Sequence, residues 1–224
     1  MTVEHPELFS TDGLRLEAEL EIPENSRSSG GPAEPVPRAA LVFCHPHPQM
    51  GGTMNAPLLL AVTDELVRRS WAVLRFNFRG IGASEGEAST GSKEVADAEG
   101  AVALARKRFP DLPVAIAGWS FGAAVATRVA AKDDSLAALV AIAPAVKEKP
   151  GVTDGLPAPD QVALVVPTLV LCAANDELVD VEDGRRWAAA AKTEFLAMPG
   201  ANHFFWAKYD KLAAAVADFL DAEV

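Results

Sequence analysis

Residues 114–132 read VAIAGWSFGAAVATRVAAK, and this stretch decides the fold. Val114 to Ala117 is a short apolar run with β-branched members, as expected of a strand buried on both faces. It passes directly into Gly118-Trp119-Ser120-Phe121-Gly122 and then into an alanine-rich stretch of helical character. G-x-S-x-G between a strand and a helix is the pattern of a nucleophile elbow. A sharp turn pushes the serine side chain out above the sheet, and the flanking positions then nearly touch other backbone. Only very small residues fit there, which accounts for Gly118 and Gly122. The helix N-terminus beneath the turn adds unpaired N–H groups and a dipole favourable to a developing anion. The alternative is a glycine-bounded turn with Ser120 as an ordinary N-cap. Agreement of strand, motif and helix favours the elbow.

Working outward, similar short runs recur at residues 39–44, 72–78, 136–142, 168–173 and 193–197. Helix-like stretches lie between and after them, at 56–69, 93–109, 121–132, 181–191 and 208–222. Alternating strand and helix predicts a mostly parallel sheet with helices on both sides. Before this, residues 14–22 alternate: Leu14, Leu16, Ala18, Leu20 and Ile22 point one way and Arg15, Glu17, Glu19 and Glu21 the other. That predicts one half-buried antiparallel strand. Residues 24–38, rich in Pro, Gly and Ser, read as a mobile loop, and residues 1–224 as one domain. The segment 143–162, with Pro144, Pro150, Pro157 and Pro159, is long enough to overhang a site as a small lid, but nothing suggests a cap domain.

A serine hydroxyl needs a base to take its proton. Of the four histidines, His203 lies in a turn between the last strand and the last helix, and the order Ser, acid, His selects it. The base needs a carboxylate to fix its tautomer. Asp176 follows the run TLVLCAAN, at the carboxyl end of a strand, where catalytic groups gather in open α/β sheets. Glu177 is its main rival; Asp180 and Asp183 fit better as caps of the following helix. An oxyanion needs two donors. One is the N–H of Phe121, after the nucleophile. The other comes from Cys44-His45-Pro46-His47-Pro48-Gln49-Met50-Gly51-Gly52, where the prolines lack an N–H and leave His47.

Together FCHPHPQMGGTMN, FNFRGIGASEG, GWSFG, NDE and NHFFW resemble a group of small, capless α/β-hydrolases related to dienelactone hydrolases. The resemblance runs from about Leu14 to the C-terminus, leaving out residues 24–38. It implies the α/β-hydrolase fold, a triad of Ser120, Asp176 and His203, and an oxyanion hole at His47 and Phe121. Dienelactone hydrolases use a cysteine nucleophile, so Ser120 argues against their particular activity. The family's sheet order also implies that two strands separate those ending at Cys44 and Cys172. At the usual strand spacing this holds the chains roughly 14 Å apart, too far for a disulfide.

The remaining features bound the function. At 224 residues, half of them apolar, the chain can bury a sizeable core without disulfide or metal. A net charge of −11 opposes nucleic-acid and anionic-membrane partners. No secretory leader or membrane span is visible, and Cys44 and Cys172 read as buried reduced thiols, which gives a cytoplasmic expectation. Arg79 reads as a structural turn residue in preference to a substrate contact. Phe204, Phe205 and Trp206 fit a pocket wall and core packing equally well. His45, His47, His203 and Asp176 lack a metal-type helical spacing, so neither a metal nor an organic cofactor is implied. The expected chemistry is hydrolysis of a small carboxylic ester or thioester, with a small-molecule acyl substrate. Acyl transfer, peptide cleavage and a non-catalytic binding module on the same fold are the alternatives.

Overall fold

The computed structural model describes residues 1–24 and 37–224, so the expected mobile loop lies almost wholly outside the described residues. The elements run β1 (Thr2–Glu4), β2 (Leu8–Phe9), β3 (Arg15–Leu16), β4 (Ala18–Ile22), β5 (Ala39–Cys44), α1 (Pro57–Arg68), β6 (Trp71–Phe76) and α2 (Glu94–Arg108). They continue as β7 (Val114–Trp119), α3 (Phe121–Ala130), β8 (Leu139–Ile142), β9 (Thr168–Ala173), α4 (Val181–Ala191), β10 (Glu194–Met198) and α5 (Tyr209–Glu223).

Eight strands form one sheet in the order β1-β4-β6-β5-β7-β8-β9-β10. From β6 to β10 neighbours are parallel; β4 runs antiparallel to β6, and β1 to β4. This is the α/β-hydrolase architecture. The side chains of β5 show why its apolar run is continuous. Leu41 and Phe43 pack with α1 and α5 on one face, and Ala40, Val42 and Cys44 with α2 and α3 on the other. Farther along the sheet, α4 places Trp187 and Ala188 against Val170 and Cys172. β5, β7 and β9 are buried throughout, and their residues are apolar or small.

Two expectations need correction at the N-terminal side. Residues 14–22 are two strands, not one: β3 pairs with β2 in a separate two-stranded sheet, and β4 joins the main sheet. The alternation also ends early, because Glu21 is buried, not solvent-facing. Arg75 on β6 explains it, reaching across the antiparallel pair to Glu21 at 2.6 Å and Glu19 at 2.8 Å. A buried charge needs such a partner, and period-two hydropathy cannot reveal it. The first residues are likewise ordered, since β1 closes the edge of the sheet against β4.

Two strands, β7 and β8, separate β5 from β9, and both cysteines are free and buried. Burial pushes the Cys172 thiol up to about 12 and the Cys44 thiol higher still. Neither carries a thiolate at neutral pH.

Candidate active site

The site forms where the chain changes direction across the sheet. From β5 it moves to β6 on one side and only later to β7 on the other. Loops leaving strands at such a point part from one another and open a crevice at the carboxyl edge. Cys44 is in register with Gly118, so the loop after β5 and the turn after β7 begin side by side.

That proximity accounts for the elbow glycines. A Cβ on Gly118 would lie 2.2 Å from the Gly122 carbonyl oxygen, and one on Gly122 would lie 2.4 Å from the carbonyl oxygens of Cys44 and His45. Between them Ser120 adopts φ 55° and ψ −110°, a left-handed backbone for a residue with a side chain. Such a conformation costs about 1–3 kcal/mol and persists only when neighbours impose it. Here the Ser120 N–H donates to Ile142 O at 2.8 Å, and the Ala145 N–H donates to Ser120 O at 3.2 Å. Although Ser120 stands at the N-cap position of α3, its side chain makes no capping hydrogen bond. It borders a cavity of about 630 Å³ that His203 also lines.

Asp176 and His203 come together at the carboxyl edge of the sheet. His203 Nδ1 lies 2.8 Å from Asp176 Oδ2, and the two side chains are 5 % and 2 % exposed. The other carboxylate oxygen accepts the N–H groups of Leu178 and Val179, both at 2.8 Å, so Asp176 cannot swing away. The two loops are stitched by the Asn175 N–H donating to Ala201 O at 2.8 Å. With Nδ1–H donated to Asp176, the lone pair of His203 is left on Nε2. Among the described residues no hydrogen bond joins Ser120 Oγ to His203; such bonds often shorten only when substrate binds. Glu177 is exposed. Asp180 caps α4 through the Glu182 N–H at 2.9 Å. Asp183 pairs with Lys147 and Arg186, each at 2.5 Å, and Lys147 foremost holds its carboxyl below the usual range.

Among the described residues, neither the His47 nor the Phe121 backbone N–H donates a hydrogen bond, although both residues are buried and line the cavity. Two unpartnered N–H groups in one crevice suit an incoming oxyanion. The His47 ring has a structural attachment as well, its Nε2–H donating to Val152 O at 2.8 Å. This fastens the loop after β5 to the segment after β8, part of which walls the cavity. Glycine is required again at Gly52, where a Cβ would lie 2.2 Å from Pro46 O.

The supporting residues escaped the sequence reading. Asn77 Oδ1 accepts the Met54 N–H at 2.8 Å, and Arg75 donates to Met54 O at 2.7 Å. Both come from β6 or its end and hold the far side of the loop after β5. A polar residue closing a buried strand was the available signal. Arg79 is structural: its guanidinium grips Asp97, with a closest contact of 2.7 Å, and Asp12 at 2.9 Å, away from the cavity. The aromatic trio divides three ways. Phe204 lines the cavity, Phe205 enters the core, and Trp206 stands out in solvent. Among the described residues no three His, Cys, Asp or Glu side chains gather as a metal-ion set. No helix among them is long and apolar enough to cross a membrane.

The fold is that of the α/β serine hydrolases. The family model described as serine aminopeptidase, S33, matches residues 35–164, more than half of the chain, and the chain belongs to that family. The match ends before Asp176 and His203. An uncharacterized protein of Rickettsia prowazekii is 31% identical over 191 residues, covering 81% of this chain and 77% of that protein. Among solved structures, an α/β serine hydrolase homologue from Coxiella burnetii is 26% identical, with a TM-score of 0.81, covering 97% of both chains. An α/β serine hydrolase without lid from Xanthomonas campestris is also 26% identical with a TM-score of 0.81, over 99% of this chain and 95% of that one.

Proposed function

We propose that this hydrolase cleaves a small carboxylic ester or thioester through an acyl-enzyme on Ser120. One observation carries the reading: His203, paired at 2.8 Å with buried Asp176, lines the same cavity as a serine held in left-handed backbone. His203 Nε2 takes the Ser120 proton as Oγ attacks the substrate carbonyl. The developing oxyanion is received by the N–H groups of His47 and Phe121. Collapse of the tetrahedral intermediate expels the alcohol or thiol, which takes the proton from His203. Water, deprotonated by the same imidazole, then releases the acid.

Both carboxylates that line the cavity are engaged, Asp180 in capping α4 and Asp183 with two cations. That disfavours recognition of a free α-ammonium group and supports an ester over a peptide substrate. Met50, Val146, Val152 and Leu178 give the cavity apolar walls suited to an uncharged acyl group. Peptide cleavage remains the second reading, favoured by the name of the matched family. We further propose a single α/β domain, a cytoplasmic setting, kinship with dienelactone hydrolases, and a small-molecule substrate with no nucleic-acid or membrane partner. The test is a rapid-mixing measurement with p-nitrophenyl butyrate, S-butyryl thiocholine and alanine p-nitroanilide. A burst of about one nitrophenolate per chain and turnover of the first two substrates supports the reading. Turnover of the anilide alone assigns the chain to peptide chemistry.

A further inference from the structure

The turn that carries His203 has a feature that general base catalysis does not use. Phe205 and Ala207 both adopt left-handed backbone, with φ of 52° and 57°, on either side of Trp206. Two non-glycine residues in that region within three positions are costly, and such conformations concentrate at ligand sites. Their effect is specific: Phe205 is driven into the core, while Trp206 is left 64% exposed. Trp206 does not lie loose. Its ring stacks on Phe204 at 5.1 Å between centroids and 17° between planes. Phe204 meets the His203 ring edge-on at 5.6 Å and the Trp119 ring at 6.1 Å. Phe204, on the cavity wall, thus joins the His203 ring to Trp206, which extends the aromatic surface into solvent just outside the cavity.

The chemistry says which half of the substrate lies there. As the Ser120 Oγ–acyl bond forms and the acyl–oxygen bond breaks, the proton taken from Ser120 passes from His203 to the departing oxygen. The leaving group must accordingly stand beside His203, whose ring Phe204 adjoins on the cavity wall. We propose that Phe204 and Trp206 form a leaving-group subsite for an apolar, preferably planar, alcohol or thiol. The proposal rests on the acyl-enzyme reading and specifies its substrate class. Stacking on an indole adds attraction that a small alkyl alcohol cannot exploit.

Two butyrate esters separate the effect, because they share one acyl-enzyme and have leaving groups of similar basicity: 2-naphthylmethyl butyrate and ethyl butyrate. The parent should favour the naphthylmethyl ester in kcat/KM. In Trp206→Ser the ratio of the two kcat/KM values should fall about 3- to 10-fold, with Trp206→Phe restoring most of it. Where deacylation limits turnover, kcat should stay equal for both esters. An unchanged ratio in a folded Trp206→Ser protein overturns the subsite, as does a Trp206→Phe ratio no better than that of Trp206→Ser. The acyl-enzyme reading fails separately, if Ser120→Ala still hydrolyses either ester.

Discussion

Lowering the pH from 7 to 4 should destabilise the protein through one buried imidazole, that of His45. Its Nδ1–H donates to Pro46 O at 2.7 Å, and its Nε2 accepts the Phe78 N–H at 3.0 Å. Both ring nitrogens are committed in the neutral form, and a proton added at Nε2 would face another N–H. Burial first, and the neighbouring His47 more weakly, depress its pKa from 6.5 to about 4, against the pull of the Pro46 carbonyl. The unfolded chain therefore takes up this proton below pH 6.5, while the folded chain resists it until about pH 4. The stabilisation is complete above pH 6.5 and is lost as the pH falls across that interval. At about 1.4 kcal/mol per pH unit, the loss amounts to ~3 kcal/mol, a large share of the 5–15 kcal/mol typical of a domain. Urea unfolding at pH 7, 5.5 and 4 measures it. His45→Gln, which keeps an acceptor for Phe78 but does not titrate, removes the contribution of every other group by subtraction. Parallel stability curves for parent and variant would refute the reasoning; curves converging toward pH 4 would bear it out.

Asp176→Asn should lower kcat by on the order of 10³-fold or more, because the amide favours the wrong imidazole tautomer; exposed Glu177→Gln should change little, and the reverse order would move the acid. At His47, replacement by proline removes the backbone donor and should cost about 10²–10³ in kcat. His47→Ala keeps that donor but releases the Val152 carbonyl, for a loss of about 3- to 10-fold; His47→Gln, able to reach the same carbonyl, should recover it. Equal losses for alanine and proline in folded proteins would contradict the backbone assignment. Gly122→Ala places a Cβ 2.4 Å from two carbonyl oxygens and should destabilise by about 1–3 kcal/mol in urea unfolding, together with loss of activity.

The central architecture was legible because its strands are buried on both faces and alternate with longer helical stretches. The run 39–44 matches β5 in both bounds, and the stretch 181–191 matches α4. Ser120 was legible because the elbow's sterics demand glycine at two fixed offsets, and the structure supplies the clashing carbonyls. His203 and Asp176 were picked out by loop position and by the order Ser, acid, His, and they lie 2.8 Å apart. Long-range pairing was not legible. The burial of Glu21 depends on Arg75, 54 positions away, and the place of β1 depends on an edge it shares with β4. Neither leaves a local periodic trace. The roles of Asn77 and of the His47 ring were hidden for the same reason, since their partners Met54 and Val152 come from other loops.

The central claim is that Ser120 is an activated nucleophile. Incubating the native protein with a fluorophosphonate, digesting it and locating the adduct by mass spectrometry tests this directly. The account predicts one phosphonylated residue, Ser120, with labelling abolished in Ser120→Ala and strongly slowed in Asp176→Asn. A folded native protein that stays unlabelled, or an adduct on another residue that persists in Ser120→Ala, would contradict it.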